Sequence, residues 1–339
     1  MKGSIMTHLN GIKFLLFTGF LFQINLAFSY PSDFEKQGRS IMDAVRNEMN
    51  RRKEDTIKNA VNLQLIEAVI NGKLTDFENA LNNPKVDINF AESYDEGFMT
   101  ALMWAVRLGR NDFIKLLLNK GANPHIEVLA SNTALREAVK KEDMNLITFL
   151  FFYHKNVDDS CQTKSKGYGL IEAVKTGKKE IVAFFLDNNV NPNIDGVIET
   201  KHRSIFSCDS STSLIAAIQY NYTDIIKMLI KKGANVNYES SIESTSALIT
   251  AVVKGNKEIV ALLLENGANT NHKDIYKNTA LMAAVTKGNK EIVALLLDNG
   301  ADPFAINVDG HTALSIAKRY DRQDIIKLIN LVTSKKSYI

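Results

Sequence analysis

The chain lacks the short spacings that announce the common chemistries. It has no HExxH for a zinc held on a helix, no GxxxxGK[ST] or GxGxxG for a phosphate cradled by backbone amides, and no GxSxG for a serine on a strained elbow. Its six histidines are scattered at His8, His125, His154, His202, His272 and His311. Charge of one sign is also missing: 41 Lys and Arg against 38 Asp and Glu leave a net +3, so the total gives nucleic acid no electrostatic footprint. The longest apolar run, Phe14 to Phe22, is too short to cross a bilayer comfortably. Together these absences argue against catalysis, a bound cofactor, a metal centre and a small-molecule substrate.

What the sequence does have is a period. A Leu three residues ahead of an Ala recurs with the alanines at Ala68, Ala105, Ala138, Ala173, Ala217, Ala251, Ala284 and Ala317. Subtracting successive positions gives steps of 37, 33, 35, 44, 34, 33 and 33. The clearest unit, Thr279 to Phe304, is TALMAAVTKGNKEIVALLLDNGADPF, and Ser246 to Asn271 nearly repeats it. In it Thr279 predicts a hydroxyl cap, with Leu281, Ala284 and Val285 three and four residues apart on one helical face. Gly288 then predicts a left-handed stop, and Asn289 a cap for a second helix with a buried stripe of Ile292, Val293, Leu295, Leu296 and Leu297. Alanine at the helix contact leaves no room for bulk, so Ala251→Phe or Ala284→Phe would overpack the stack.

These units resemble the ankyrin repeat family, whose pattern is a Thr-Pro-Leu-His helix start, Gly, a second helix and Gly-Ala-Asp/Asn. The resemblance implies an all-α solenoid of helix-turn-helix units joined by hairpin-like loops, over roughly residues 63–331. It departs from the pattern at two motif positions. The Pro is replaced by Ala101, Ala134, Gly169, Ser213, Ala247, Ala280 or Ala313, and the His by Met103, Arg136, Ile171, Ile215, Ile249, Met282 or Ser315. Losing the His removes a polar tie, so stability is expected to lean on apolar stacking.

Residues 1–29 read as a secretory signal peptide: Lys2 and Lys13 precede the apolar run, and Ala27 and Ser29 have small-residue spacing for cleavage between Ser29 and Tyr30. An uncleaved anchor is the alternative, and it alone implies a membrane. The charged, helix-prone stretch 30–62 predicts a cap for the first repeat, and 332–339 a tail. Extra residues predict irregular loops at 156–167 and 191–211, the second carrying a hairpin finger around Val197 to Ser211. Each holds a cysteine, Cys161 and Cys208, with His154 and His202 upstream. A disulfide between them, two free thiols, a zinc site and a Cys–His pair are the alternatives; the gaps between His and Cys fall outside tight zinc motifs.

Overlaying the repeats places a ridge at the ends of the first helices, on the wall that the resemblance implies is concave and used for binding. It comprises Arg107, Lys140, Lys141, Lys175, Lys254 and Lys287, with Trp104 and Tyr220 beside it, and suits a protein partner with an acidic surface. The alternative is that these lysines only keep the face soluble. Phe149, Phe151, Phe152 and Tyr153 make the third repeat's second helix aromatic, most rings being expected in the core and one or two outside. The resulting expectation is a non-enzymatic protein-protein interaction module, secreted or periplasmic, resembling exported ankyrin repeat proteins of intracellular bacteria. The alternative is a membrane-anchored or periplasmic scaffold.

Overall fold

The computed structural model describes residues 46, 47, 50, 55, 57–94, 97–128, 132–153, 158–199, 208–238 and 246–336. The signal segment with Ser29 and Tyr30, His154, His202 and most of the expected capping stretch lie outside the described residues. Two compact units divide the chain, residues 1–63 with 83–86 and residues 64–82 with 87–339. In the first, residues 57–63 are helical and the Lys85 N–H donates to Asn83 Oδ1 at 3.0 Å.

The second unit is a succession of helix pairs. They are α1 (57–71, of which 64–71 belong to this unit) and α2 (Leu74–Leu81), α3 (Ala101–Leu108) and α4 (Asn111–Asn119), α5 (Ala134–Lys140) and α6 (Met144–Phe151). They continue as α7 (Asp159–Thr176) and α8 (Lys179–Asp187), α9 (Ser213–Gln219) and α10 (Thr223–Lys231), α11 (Ala247–Lys254) and α12 (Lys257–Glu265), α13 (Ala280–Lys287) and α14 (Lys290–Asp298), α15 (Ala313–Arg319) and α16 (Gln323–Lys336). Among the described residues two strand pairs interrupt them: β1 (Ala91–Tyr94) pairs antiparallel with β2 (Gly97–Thr100), and β3 (Gly196–Glu199) with β4 (Cys208–Ser211). The second stands where the longest repeat step predicts a finger.

Local chemistry sets each pair. Thr100, Thr133, Thr212, Ser246, Thr279 and Thr312 each accept the N–H three residues on, satisfying a donor that the helix itself leaves open. Gly288 closes α13 in the left-handed region at φ 74°, and Asn289 caps α14 through the Ile292 N–H at 3.1 Å. Glu142, Asn221 and Asp321 occupy the same stop position with φ of 57°, 63° and 52°, a conformation that costs any residue with a Cβ.

First helices α3, α5, α7, α9, α11, α13 and α15 pack each on the next, and all eight repeat alanines are buried. Ile292, Val293, Leu296 and Leu297 form the buried stripe of α14, whereas Leu295 is only half-buried.

Beside the apolar stacking on which stability was expected to lean, a polar tie is present that the motif comparison did not reveal. An asparagine ladder staples successive repeats. Asn193 Oδ1 accepts the Asn235 N–H at 2.7 Å while its Nδ2 donates to the Gly233 carbonyl at 3.0 Å. Asn237 does the same with Asn269 and Gly267, and Asn271 with Asp302 and Gly300. Each side-chain amide thus satisfies one donor and one acceptor of the following turn.

The expected loop 156–167 is a second departure. Residues 159–167 are the opening turns of α7, because Asp158 accepts the Ser160 and Cys161 N–H groups and starts the helix early. Its two glycines and polar residues hide the helical period from the sequence. Gly169 is required by packing: a Cβ there would lie 2.8 Å from the Phe185 ring. The extension covers buried His125, whose Nδ1 lies 3.1 Å from Ser165 Oγ and whose Nε2 lies 3.1 Å from the Tyr153 carbonyl.

Candidate functional site

The ends of the first helices bring the ridge residues onto one face, but their chemistry differs from the sequence expectation. Two buried glutamates, Glu137 on α5 and Glu172 on α7, lie among the cations. Arg107 grips Glu137 with both ends of its guanidinium, Nε to Oε2 at 2.9 Å and Nη2 to Oε1 at 3.2 Å, and Lys140 Nζ reaches Oε1 at 2.9 Å. One repeat on, Arg136 Nε donates to Glu172 Oε2 at 2.8 Å and Lys175 Nζ follows at 3.2 Å. The Arg136–Glu172 pair, with side chains 3% and 8% exposed, is interior, whereas Glu137 at 2% is bound by Arg107 and Lys140 side chains that keep 24% and 30% of their surface exposed.

Burial alone pushes the Glu137 carboxyl up, but the hydrogen bonds and charges of Arg107 and Lys140 outweigh it and hold the group below the usual glutamate range. Glu172 is likewise held low against its burial, by Arg136, Lys175 and the more distant Lys140. Both therefore stay ionised at neutral pH. Four cations surround two carboxylates, so the ladder retains a positive excess of two while Arg107, Lys140 and Lys175 are held in fixed geometry.

Each ridge residue can now be placed. Trp104 is buried, with the Arg107 guanidinium 5.5 Å from its ring centroid, so it is part of the packing and not an outward anchor. Lys141 donates to the Arg107 carbonyl at 3.0 Å and closes the last turn of α3. Lys254 and Lys287 are exposed, without an ion pair among the described residues. Tyr220 is 42% exposed and stacked on Tyr222, centroids 5.8 Å apart and planes 13° apart. Partial burial pushes its phenol up, and the Glu172 carboxylate adds to this. Leu108 and Tyr320, exposed at the repeat position of Tyr220, and Val253, exposed one position earlier in its repeat, add apolar surface to the row.

Of the aromatic residues in the third repeat, Phe151 is buried. Phe149 and Phe152 are about half exposed, while Tyr153 donates its hydroxyl to the Leu118 carbonyl at 2.7 Å. Cys161 carries a free, exposed thiol on the first turn of α7; the side chain of Cys208 is outside the described residues. No described helix is long and apolar enough to cross a membrane.

Sequence reasoning missed Glu137 and Glu172. The available signal was a carboxylate directly before the repeat alanine, where later repeats have Ala216, Thr250, Ala283 and Ile316, opposite an Arg136 that stands where Met103, Ile215, Ile249 and Met282 stand elsewhere.

The family model described as Ankyrin repeats matches the chain over residues 65–161, 135–240, 170–274 and 248–336. An ankyrin repeat protein of Acanthamoeba polyphaga mimivirus is 37% identical over 71 residues, 21% of this chain and 16% of that protein. Another, from fowlpox virus, is 29% identical over 179 residues, 52% of this chain and 37% of that protein. The matched part of the chain thus spans well under half of either viral relative.

Proposed function

The chain belongs to the ankyrin repeat family, and from that premise we propose that it is an exported, non-enzymatic binding protein that holds a partner protein against the ends of its first helices. Ankyrin repeats are protein-protein interaction modules, generally without enzymatic activity. The observation that carries the finer reading is the pre-set face itself. A partly neutralised ladder of Arg107, Lys140 and Lys175 is flanked by exposed Lys254 and Lys287, with Leu108, Tyr220, Val253 and Tyr320 as apolar contacts. Cations already fixed on carboxylates lose little side-chain freedom on binding, and the surplus charge favours an acidic partner. The concave wall and the finger at Val197 to Ser211 would frame that partner.

Export rests on the N-terminal segment 1–29, whose apolar run and small residues before Tyr30 suit cleavage and release from the producing cell. The likeness to exported proteins of intracellular bacteria belongs to this proposal. The same apolar run supports a second reading, a membrane-anchored or periplasmic scaffold. Fractionation separates the two: a mature chain beginning at Tyr30 outside the cell supports export, and an intact N-terminus retained with membranes supports the scaffold.

The binding face is tested by affinity capture with the wild-type chain and with Lys141→Glu, Lys254→Glu and Lys287→Glu combined. Reversing three rim charges is expected to weaken capture by about tenfold or more and to flatten its salt dependence. Capture of the same protein, with the same salt dependence, by both chains would end the proposal.

A further inference from the structure

We infer that the finger tips at residues 272–278 and 302–311 form a self-association surface through which two copies of this chain meet about a two-fold axis. Five large apolar side chains are exposed there: Ile275 at 53%, Tyr276 at 59%, Phe304 at 61%, Ile306 at 53% and Val308 at 54%. The tips stand side by side, since the Val308 N–H donates to the Tyr276 carbonyl at 3.0 Å and Asn307 Nδ2 to Asn278 Oδ1 at 3.0 Å. Phe304 occupies the ladder position at which Asn193, Asn237 and Asn271 fasten the following repeat. Its ring replaces an amide with bare apolar surface.

Area and charge select the occupant. At about 100 Å² for each half-exposed side chain, the tips offer about 500 Å² of apolar surface, toward the upper end of what a solitary chain leaves in one patch. Two copies would bury about 1,000 Å², the lower limit of a specific interface, which predicts a weak, reversible dimer. A two-fold interface must be complementary to itself. The rim satisfies this, because exposed Lys273 and Lys277 flank the apolar residues of the first tip and exposed Asp302 and Asp309 those of the second, so each copy offers both signs to its twin. A partner of uniform charge would meet repulsion at half of these groups. This surface lies on the fingers, apart from the first-helix face proposed above, so the two can fail separately.

Sedimentation velocity of the purified full chain between about 1 and about 100 µM is expected to move from monomer toward dimer. Phe304→Asp with Val308→Asp should remain monomeric with an unchanged helical circular dichroism signal. The milder Phe304→Asn, which restores the ladder residue, should weaken the dimer at least several-fold. In a Cys161→Ser, Cys208→Ser background, Val308→Cys should cross-link two copies on oxidation. A wild-type chain that stays monomeric throughout the range, or an aspartate variant that dimerises as the wild type does, overturns the inference.

Discussion

Replacing Arg136 by Ile isolates the energetics of the buried ion pairs. The Arg136 side chain, 3% exposed, donates to a Glu172 side chain that is 8% exposed, with Lys175 the one further cation in direct contact among the described residues. Removing one partner of a buried pair costs about 3–5 kcal/mol, because the remaining charge keeps its desolvation penalty; Lys175 holds this case near 3 kcal/mol. Arg136→Ile combined with Glu172→Ala recreates what neighbouring repeats already use, Ile171 opposite Ala216 and Ile249 opposite Ala283. The double variant should lie within about 1 kcal/mol of wild type, giving a coupling of about 2 kcal/mol or more. The assay is urea unfolding followed by circular dichroism, with hydrogen exchange resolved on α5 and α7, since a repeat array need not unfold as a single unit. Equal stability of single and double variants, with coupling below about 0.5 kcal/mol, would show that the carboxylate does not depend on its arginine.

Three other outcomes follow from the same geometry. Glu137 and Glu172 have folded-state pKa values below those of the unfolded chain, so their contribution is present above about pH 4.3 and is lost as pH falls through the lowered folded values. The urea midpoint should therefore drop over that acid window, and less steeply in the Arg136→Ile, Glu172→Ala chain. Asn237→Ala removes the bonds to Asn269 at 2.7 Å and Gly267 at 2.9 Å and should cost about 1–2 kcal/mol. Faster amide exchange at residues 267–269 would report it, and unchanged exchange would discount the ladder. Glu142→Gly relieves a φ of 57°, whereas Glu142→Ala retains it, so the glycine variant should be the more stable of the two by about 1 kcal/mol in thermal melts.

Much of the architecture was legible because its causes are local. Thr279, Gly288 and Asn289 act on groups within four residues of themselves, and the alanine period registers the helix contact directly. The opening turns of α7 were not legible, because the extra residues of that repeat step read as a loop, and only the tertiary structure shows Ile194 and Phe185 occupying the space that a Cβ on Gly167 or Gly169 would need. Among the ridge residues, sequence position gave the common face but not the engagement of each charge. Trp104 looked like an anchor only while Arg107 was not known to cover it.

Glu67, Glu137 and Glu172 mark the boundary between the two kinds of information. All three directly precede a repeat alanine, and the sequence assigns them one position on one helical face. Glu67 is exposed, while the other two are buried. Their partners explain the difference: Arg107 reaches Glu137 across 30 residues, and Arg136 reaches Glu172 across 36. The sequence by itself determined which residues repeat, where helices start and stop, and which side faces a neighbour, since those depend on φ, capping and periodicity within a few residues. Only the stacking of one repeat on the next decided which charges are desolvated and paired, because that energy depends on side chains a full repeat away.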